Sequence, residues 1–176
     1  MISTTGKLAR FVLAISLLST AWAQRRRDPL NPLEVDQLRD AAQEPSERLK
    51  LYIQFARTRL ASLEQMRADP KVTDRAQQTH DRLQDFLDVY DELNDNIDTF
   101  VGRKADLRKP LKTVIEADTE FQAKLRALKS SLDANKDEAS QYNFLLTNVL
   151  ETVDSSILDH RQLLKQQEEE AGRKKK

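Results

Sequence analysis

Residues 79–100 read THDRLQDFLDVYDELNDNIDTF, and they repeat a core-type side chain at alternating steps of four and three residues. The repeat runs through Thr79, Leu83, Phe86, Tyr90, Leu93, Ile97 and Phe100. Steps of four and three give a period of about 3.5 residues, which is typical of helices that pack side by side with a left-handed supercoil. The segment therefore predicts a long amphipathic helix that packs along its length against other helices.

The same stepping extends this helix upstream and recurs in three further segments, so we expect four long helices. The additional stripe residues are Val72 and Ala76; Leu49, Ile53, Ala56, Leu60 and Leu63; Leu107, Leu111, Val114, Asp118, Phe121, Leu125, Leu128 and Leu132; and Ala139, Tyr142, Leu146, Val149, Val153, Ser156, His160 and Leu163. Apolar residues beside these stripes are Leu87, Val101, Ile115, Leu145, Leu150, Ile157 and Leu164. Stripes this wide suit a bundle core better than a two-stranded seam.

Short connections separate the long helices. We expect Pro70 in the first turn of the second helix and Gly102 to end it in the left-handed conformation that favours glycine. Asp106 is expected to cap the third helix, and Asn135 with Glu138 resembles a capping box for the fourth. Connections this short place consecutive helices antiparallel. The predicted fold is all-α, an elongated, coiled-coil-like up-down-up-down four-helix bundle, with one alternative in which the second and third helices merge.

The chain is expected to divide into four segments, of which residues 1–23 are the first. Residues 24–45 form an arm with one short extra helix, because Asn31 can cap it, Pro32 suits its first position and Glu34 completes a capping box. This helix should end before Pro45. The bundle covers residues 46–167, and residues 168–176 form a charged, disordered tail.

The first 23 residues resemble a secretion signal. Lys7 and Arg10 precede an apolar stretch, and Ala21-Trp22-Ala23 supplies small residues two apart. We therefore predict cleavage after Ala23 and a periplasmic or extracellular protein. The alternative is an N-terminal anchor in the inner membrane, although the uncharged stretch 11–24 has 14 residues and a spanning helix needs about 20.

Composition excludes several functions. The chain has no cysteine, which removes thiol catalysis, thiolate metal sites and disulfides. Its 29 Lys and Arg balance 29 Asp and Glu, so we expect no nucleic-acid partner. Gly-x-Ser-x-Gly, His-Glu-x-x-His and nucleotide-loop motifs are all absent from the sequence, and we expect no enzyme.

The two histidines do not predict a metal or haem site. Gln77 and Ile157 stand three residues before His80 and His160, where a di-iron bundle has glutamate. The histidines also fall at different heights in the predicted bundle. Met66, the possible haem partner of His160, falls near the opposite end. We therefore expect no cofactor.

Two polar residues occupy core-type stripe positions, Asp118 and His160. We interpret Asp118 as a hydrated edge residue, with the alternative that it is buried and fixes helix register. A hydrogen bond between Asn94 and His160 is a further hypothesis.

Two charged surfaces are candidate interaction sites. An acidic band on the second helix contains Asp85, Asp88, Asp91, Glu92, Asp95 and Asp98, and it forms a solvated face, a docking surface for a basic partner or a weak calcium site. Basic clusters comprise Arg25, Arg26 and Arg27, and Arg173, Lys174, Lys175 and Lys176. If both clusters emerge at one pole, they could contact an anionic surface weakly; otherwise they are solubilising tails.

These observations predict an exported, non-enzymatic helical-bundle protein that acts in protein–protein interaction, envelope scaffolding or chaperoning. Its partners are other proteins or copies of itself in a homo-oligomer. The alternative is a ligand-binding bundle that holds a haem, a metal or an apolar molecule in its core.

Overall fold

The computed structural model describes residues 28–134 and 136–173, without the side chains of residues 133–137. Within these ranges the chain is helical and has no strand, so the predicted all-α class is confirmed. The helices are α1 (Pro32–Asp40), α2 (Pro45–Ala68), α3 (Arg75–Gly102), α4 (Arg108–Ser130), α5 (Lys136–Ser140) and α6 (Asn143–Arg173), with a 3-10 helix at Ser131–Ala134. The predicted signal peptide, Arg25, Arg26, Arg27 and residues 174–176 lie outside the described residues.

The helical stripes form the core. In α2, α3, α4 and α6 almost every stripe residue is buried, whereas Val72, Ala76, Leu128 and Leu163 are partly buried at the stripe ends. Phe86 stacks on Tyr90 with ring centroids 5.7 Å apart, and both rings meet Phe121 edge-on. This aromatic cluster joins α3 to α4, and such ring pairs add to the free energy gained from burial alone.

Helices α2 and α3 run antiparallel. Near the start of α2, Arg48 Nε donates to Asn96 Oδ1 (2.6 Å) in the last third of α3. At the end of α2, Arg67 Nη1 donates to Thr79 Oγ1 (3.0 Å) in the first turns of α3. Residue numbers therefore rise along one helix as they fall along the other.

Helices α4 and α6 also run antiparallel. Lys112 Nζ lies 3.1 Å from Glu168 Oε1, and Arg126 Nη2 lies 3.2 Å from Asp154 Oδ2. The pairs are linked to each other because α2 also packs against α4, and α3 packs against α6.

Helix α1 begins at Pro32 with the expected capping box. Asn31 Oδ1 accepts from the backbone N–H groups of Leu33 (2.9 Å) and Glu34 (3.0 Å), and Glu34 Oε2 accepts from the Asn31 N–H (2.9 Å). The helix ends at Asp40, before Pro45, which opens α2.

Helix α3 begins later than expected, at Arg75, and Pro70 lies in the preceding turn. Asp69 Oδ1 accepts from the Lys71 N–H (2.9 Å) across Pro70. A side-chain acceptor of this kind favours a local turn over helix, so the segment between Ala68 and Arg75 is not helical.

The expected left-handed glycine at the end of α3 is wrong. Gly102 is the last helical residue and has no positive φ; the left-handed residue is Lys104, with φ of 58°. The Ala105 N–H donates to the Phe100 carbonyl (3.0 Å) and the Lys104 N–H to the Val101 carbonyl (2.9 Å). These two bonds form a Schellman motif, which satisfies the last carbonyls of the helix.

Helices α3 and α4 are separate, so the alternative in which they merge is wrong. Asp106 Oδ1 accepts from the Arg108 N–H (3.1 Å), but Leu107 is the N-cap residue, one position later than expected. The side chain of Gln167 holds this connection: its Oε1 accepts from the Leu107 N–H (2.8 Å) and its Nε2 donates to the Ala105 carbonyl (3.1 Å).

The expected fourth long helix is split. Helix α5 ends at Ser140 and α6 begins at Asn143, while Asn135 lies outside the described residues. Arg67 Nη1 donates to the Tyr142 hydroxyl (3.0 Å) and to Glu138 Oε1 (2.9 Å). These two hydrogen bonds join the segment between α5 and α6 to the end of α2.

Residues 168–173, expected in a disordered tail, continue α6 instead. Glu168 pairs with Lys112, and Glu169 lies 3.8 Å from Arg173 one turn later. Such pairs favour helix at a chain end. None of the helices within residues 28–134 and 136–173 combines the length and apolar character needed to span a bilayer.

Candidate functional site

A polar network lies in the interior where α3, α4 and α6 meet. Asp118 is 0% exposed; its Oδ1 accepts from the Tyr90 hydroxyl (2.8 Å), and its Oδ2 lies 2.8 Å from His160 Nδ1. The interpretation of Asp118 as a hydrated edge residue is therefore wrong. The carboxylate is enclosed because its stripe neighbours Val114 and Phe121 are themselves fully buried.

The electrostatics of this network favour a neutral phenol. Burial raises the pKa of Tyr90 far above its ordinary value of 10, and the neighbouring Asp118 carboxylate raises it further. Tyr90 therefore remains a hydrogen-bond donor to Asp118. The other carboxylate oxygen lies 2.8 Å from His160 Nδ1, a hydrogen-bonding distance.

The expected bond between Asn94 and His160 is wrong. Asn94 Nδ2 donates instead to Ser156 Oγ (3.1 Å), one helical turn before His160 on α6. Among the described residues, the buried Asn94 Oδ1 has no hydrogen-bond partner. Sequence reasoning missed this pairing because periodicity gives the face of each residue and not the level at which two helices meet.

Ser156, His160 and Asp118 are the residue types of hydrolytic triads, but their arrangement does not favour hydrolysis. Ser156 and His160 are buried, and the Ser156 hydroxyl accepts from Asn94. A nucleophile has to reach a substrate carbonyl, and this hydroxyl faces the protein interior.

Four members of the acidic band line an open groove of about 560 Å³ together with Asp28, Pro29 and Asn94. The members are Asp88, Asp91, Glu92 and Asp95. Asp85 and Asp98 lie outside the groove lining, and Asp98 is exposed. Because the N-terminal arm adds Asp28 to this groove, it concentrates negative charge on one side of α3.

The described neighbours of the two basic clusters lie apart. Asp28, which follows Arg27, lies beside Asp88 and Asp95, well before the end of α3. Arg173 is the last residue of α6. It lies beyond the Lys112–Glu168 contact, which marks one end of the α4–α6 pair, and the Arg126–Asp154 contact lies toward the other end. The structure therefore does not bring the described residues next to the two clusters to one pole.

The N-terminal arm is fastened to α2 by a partly buried ion pair. Arg59 Nη1 and Nη2 donate to Glu34 Oε1 (2.9 Å) and Oε2 (2.6 Å), and Nη2 also donates to the Pro29 carbonyl (2.8 Å). Burial acts to raise the pKa of Glu34, but the hydrogen bonds from Arg59 and Asn31 and the Arg59 charge together lower it below 4.5. The carboxylate is therefore held ionised.

Two large apolar side chains project outward from α6. Phe144 is 88% exposed and Leu158 is 66% exposed. They are fourteen residues apart in the sequence, which returns a helix to within about 40° of the same direction and separates them by about 21 Å. Neither residue belongs to an apolar stripe, so sequence periodicity carries no signal for this pair.

No protein-family model, no curated protein and no solved structure matches the chain. Residues 28–134 and 136–173 contain no group of three or more His, Asp and Glu side chains arranged to hold a metal ion.

Proposed function

We propose that this chain is a non-enzymatic helical-bundle protein that acts by binding other proteins. The observation that carries the proposal is the exposure of Phe144 together with Leu158 on one face of α6. Covering a phenylalanine or leucine side chain releases about 1.5–3 kcal/mol. A partner that contacts both residues would gain this free energy without rearranging the core.

The architecture we propose is an antiparallel up-down-up-down bundle of α2, α3, α4 and α6. Contacts between its two antiparallel pairs support it. Arg57 pairs with Glu120 (2.7 Å) and Lys124 pairs with Glu64 (2.7 Å), so α2 and α4 run in the same direction. Alternate helices run in the same direction in a bundle of this chain order. Among the described residues α2 packs beside α4 and α3 beside α6, so these neighbouring pairs are parallel and the consecutive helices α3 and α4 face each other across the core.

The interior supports a binding role over catalysis or ligand storage. The Tyr90–Asp118–His160 network is enclosed and hydrogen-bonded, which favours a structural part for it. Two apolar pockets between α2 and α4 hold about 20 and 40 Å³. Pockets for small molecules usually hold about 300–1,000 Å³. The cavities of about 560 and 590 Å³ are open grooves at the surface, so a haem or an apolar ligand held in the core is the less supported alternative.

We also propose that the protein is exported and takes part in envelope scaffolding or chaperoning. The predicted signal over residues 1–23 is the support for export. Intact mass measurement of the protein made in its own cell type should give a chain that begins at Gln24. A chain that retains residues 1–23 would contradict cleavage, and recovery of such a chain from the membrane fraction would support the anchor.

Site-specific photo-crosslinking in cells tests the binding role. A photoreactive phenylalanine analogue placed at position 144 or 158 should give the same discrete adduct from both sites. Gln65, an exposed residue of α2, is the matched control and should give none. Adducts at Gln65 equal to those at 144 and 158, or no adduct at either site, would overturn the proposal.

A second measurement separates loss of binding from loss of folding. The double variant Phe144→Ser and Leu158→Ser should unfold at the same temperature as the wild type, because neither side chain lies in the core. The same photoreactive analogue at the exposed Asn148 should give an adduct in the otherwise natural chain and lose it in the double variant. An adduct of unchanged intensity would show that the two apolar residues do not form the binding surface.

A further inference from the structure

The apolar stripes of α4 and α6 do not by themselves fix how far one helix is displaced along the other. Both stripes repeat every 3.5 residues, so a displacement of seven residues, about 10 Å, again places stripe against stripe. Apolar contact is non-directional, and leucine or valine side chains are available at most levels of both helices. The connection between Ser130 and Asn143 has twelve residues, which is long enough to follow such a displacement.

From the buried contacts we infer that the Tyr90–Asp118–His160 network is an alignment device, which selects one axial position of α4 against α6 and α3. In the observed position Asp118 faces His160, at 2.8 Å. The Tyr90 hydroxyl binds the second carboxylate oxygen, so α3 is fixed at the same level. All three side chains are buried, and each hydrogen bond is made far from competing water.

A displacement of seven residues breaks this arrangement in either direction. In one direction Asp118 faces Val153 while His160 faces Leu111. In the other direction Asp118 faces Gln167 while His160 faces Leu125. In both cases the imidazole faces a leucine and loses its carboxylate partner. The carboxylate faces the apolar Val153 in the first direction and, in the second, the neutral amide of Gln167, which binds Leu107 and Ala105 in the observed position. A buried polar group without its partner is strongly unfavourable, so the network disfavours the positions that the apolar stripes alone would tolerate.

The same network is a poor source of stability. Three polar groups are withdrawn from water to form two hydrogen bonds, and apolar side chains of similar size often match or exceed the stability of a buried ion pair. The expected signature of an alignment device is therefore a combined apolar replacement that keeps or raises the unfolding temperature but loses the single alignment. We call the chain with Tyr90→Phe, Asp118→Leu and His160→Leu the apolar variant.

Disulfide trapping measures the alignment directly, because the natural chain has no cysteine. Gln122 and Asp154 side chains meet at 2.6 Å across α4 and α6, so Gln122→Cys with Asp154→Cys reports the observed position. Gln122→Cys with Thr147→Cys, or with Arg161→Cys, reports a displacement of seven residues in one direction or the other.

In the otherwise natural chain, mild oxidation should link only the 122–154 pair. In the apolar variant, a 122–147 or 122–161 pair should link as well, several-fold faster than in the natural background. Tyr90→Phe alone is the matched control; it keeps the Asp118–His160 contact and should link only 122–154.

Two results would overturn the inference. The first is an apolar variant that links only the 122–154 pair, because the apolar stripes would then suffice to set the alignment. The second is an apolar variant that is unfolded at room temperature by circular dichroism, because the network would then be needed for stability. Retention of the unfolding temperature with linkage of a displaced pair supports the inference.

Discussion

Arg59 of α2 holds Glu34 of α1 through two parallel hydrogen bonds, of 2.9 Å and 2.6 Å, and the same guanidinium binds the Pro29 carbonyl. Both side chains are largely buried. A two-pronged pair of this kind is stronger and more directional than a single ion pair. Arg59 therefore holds the start of the N-terminal arm on α2, while the buried Leu38 and the Arg48 guanidinium that binds the Leu38 carbonyl hold its later part.

Replacing Glu34 with Gln should lower the free energy of unfolding by about 1–3 kcal/mol, because Arg59 then lacks a charged partner in a partly buried position. Urea denaturation of the purified protein measures the change. Glu47→Gln is the control, since its pair with Lys50 is exposed and should contribute less than about 0.5 kcal/mol. Equal effects of the two substitutions would contradict a greater contribution from the Arg59–Glu34 pair.

Acid should weaken the Arg59–Glu34 ion pair. The pKa of Glu34 in the folded chain lies below its ordinary value of 4.5. The folded state therefore binds this proton less readily than the unfolded state, so the contribution of Glu34 is complete above about pH 4.5 and is lost as the pH falls through the lower folded value. Unfolding temperatures measured from pH 7 to pH 2.5 should fall more steeply for the wild type than for Glu34→Gln. Parallel curves would be inconsistent with the lowered pKa.

Lys104→Gly should raise the free energy of unfolding by about 1 kcal/mol, because a left-handed backbone is unfavourable for lysine and not for glycine. Thermal unfolding measures the gain. Gly102→Ala provides the contrast: Gly102 has no positive φ, and an added Cβ meets nothing within 4 Å, so this change should be tolerated. Destabilisation by Gly102→Ala would place the left-handed residue at position 102 after all.

His160→Leu alone should lower the free energy of unfolding by about 3 kcal/mol, because it leaves the buried Asp118 carboxylate without its partner on α6. Tyr90→Phe removes one hydrogen bond and should lower it by about 1–2 kcal/mol. Urea denaturation of both variants tests the order. A His160→Leu chain within about 0.5 kcal/mol of the wild type, the range of an ordinary surface change, would show that Asp118 does not depend on the imidazole.

The sequence predicted which residues face the core far better than how the helices meet. Spacing along a helix fixes the face of Leu83 or Val149, because 3.6 residues make a turn. It does not fix the level at which α4 passes α6, and so the Asp118–His160 contact could not be derived from it. This contact depends on where the whole of α4 and the whole of α6 are placed by the connections that precede them.

The helix ends were predicted less well, because local preferences compete there with tertiary contacts. Lys104 adopts the left-handed conformation that was expected at Gly102, since the two Schellman hydrogen bonds offset its backbone strain. Residues 168–173 remain helical, and the exposed Lys112–Glu168 and Glu169–Arg173 pairs each favour this extension slightly. The exposed Phe144 could not be anticipated, because a helical pattern reports buried positions and is silent about an outward aromatic.

Gln167 sets how far the chain can be shortened from its carboxyl end before the turn between α3 and α4 loses hydrogen bonds. One primary amide completes the hydrogen bonding of the Ala105 carbonyl and the Leu107 N–H. A stop codon at position 168 would leave that amide in place, whereas a stop codon one position earlier would uncap the turn between α3 and α4. A turn near the carboxyl end of α6 thus completes a corner of the backbone about sixty residues upstream in the chain.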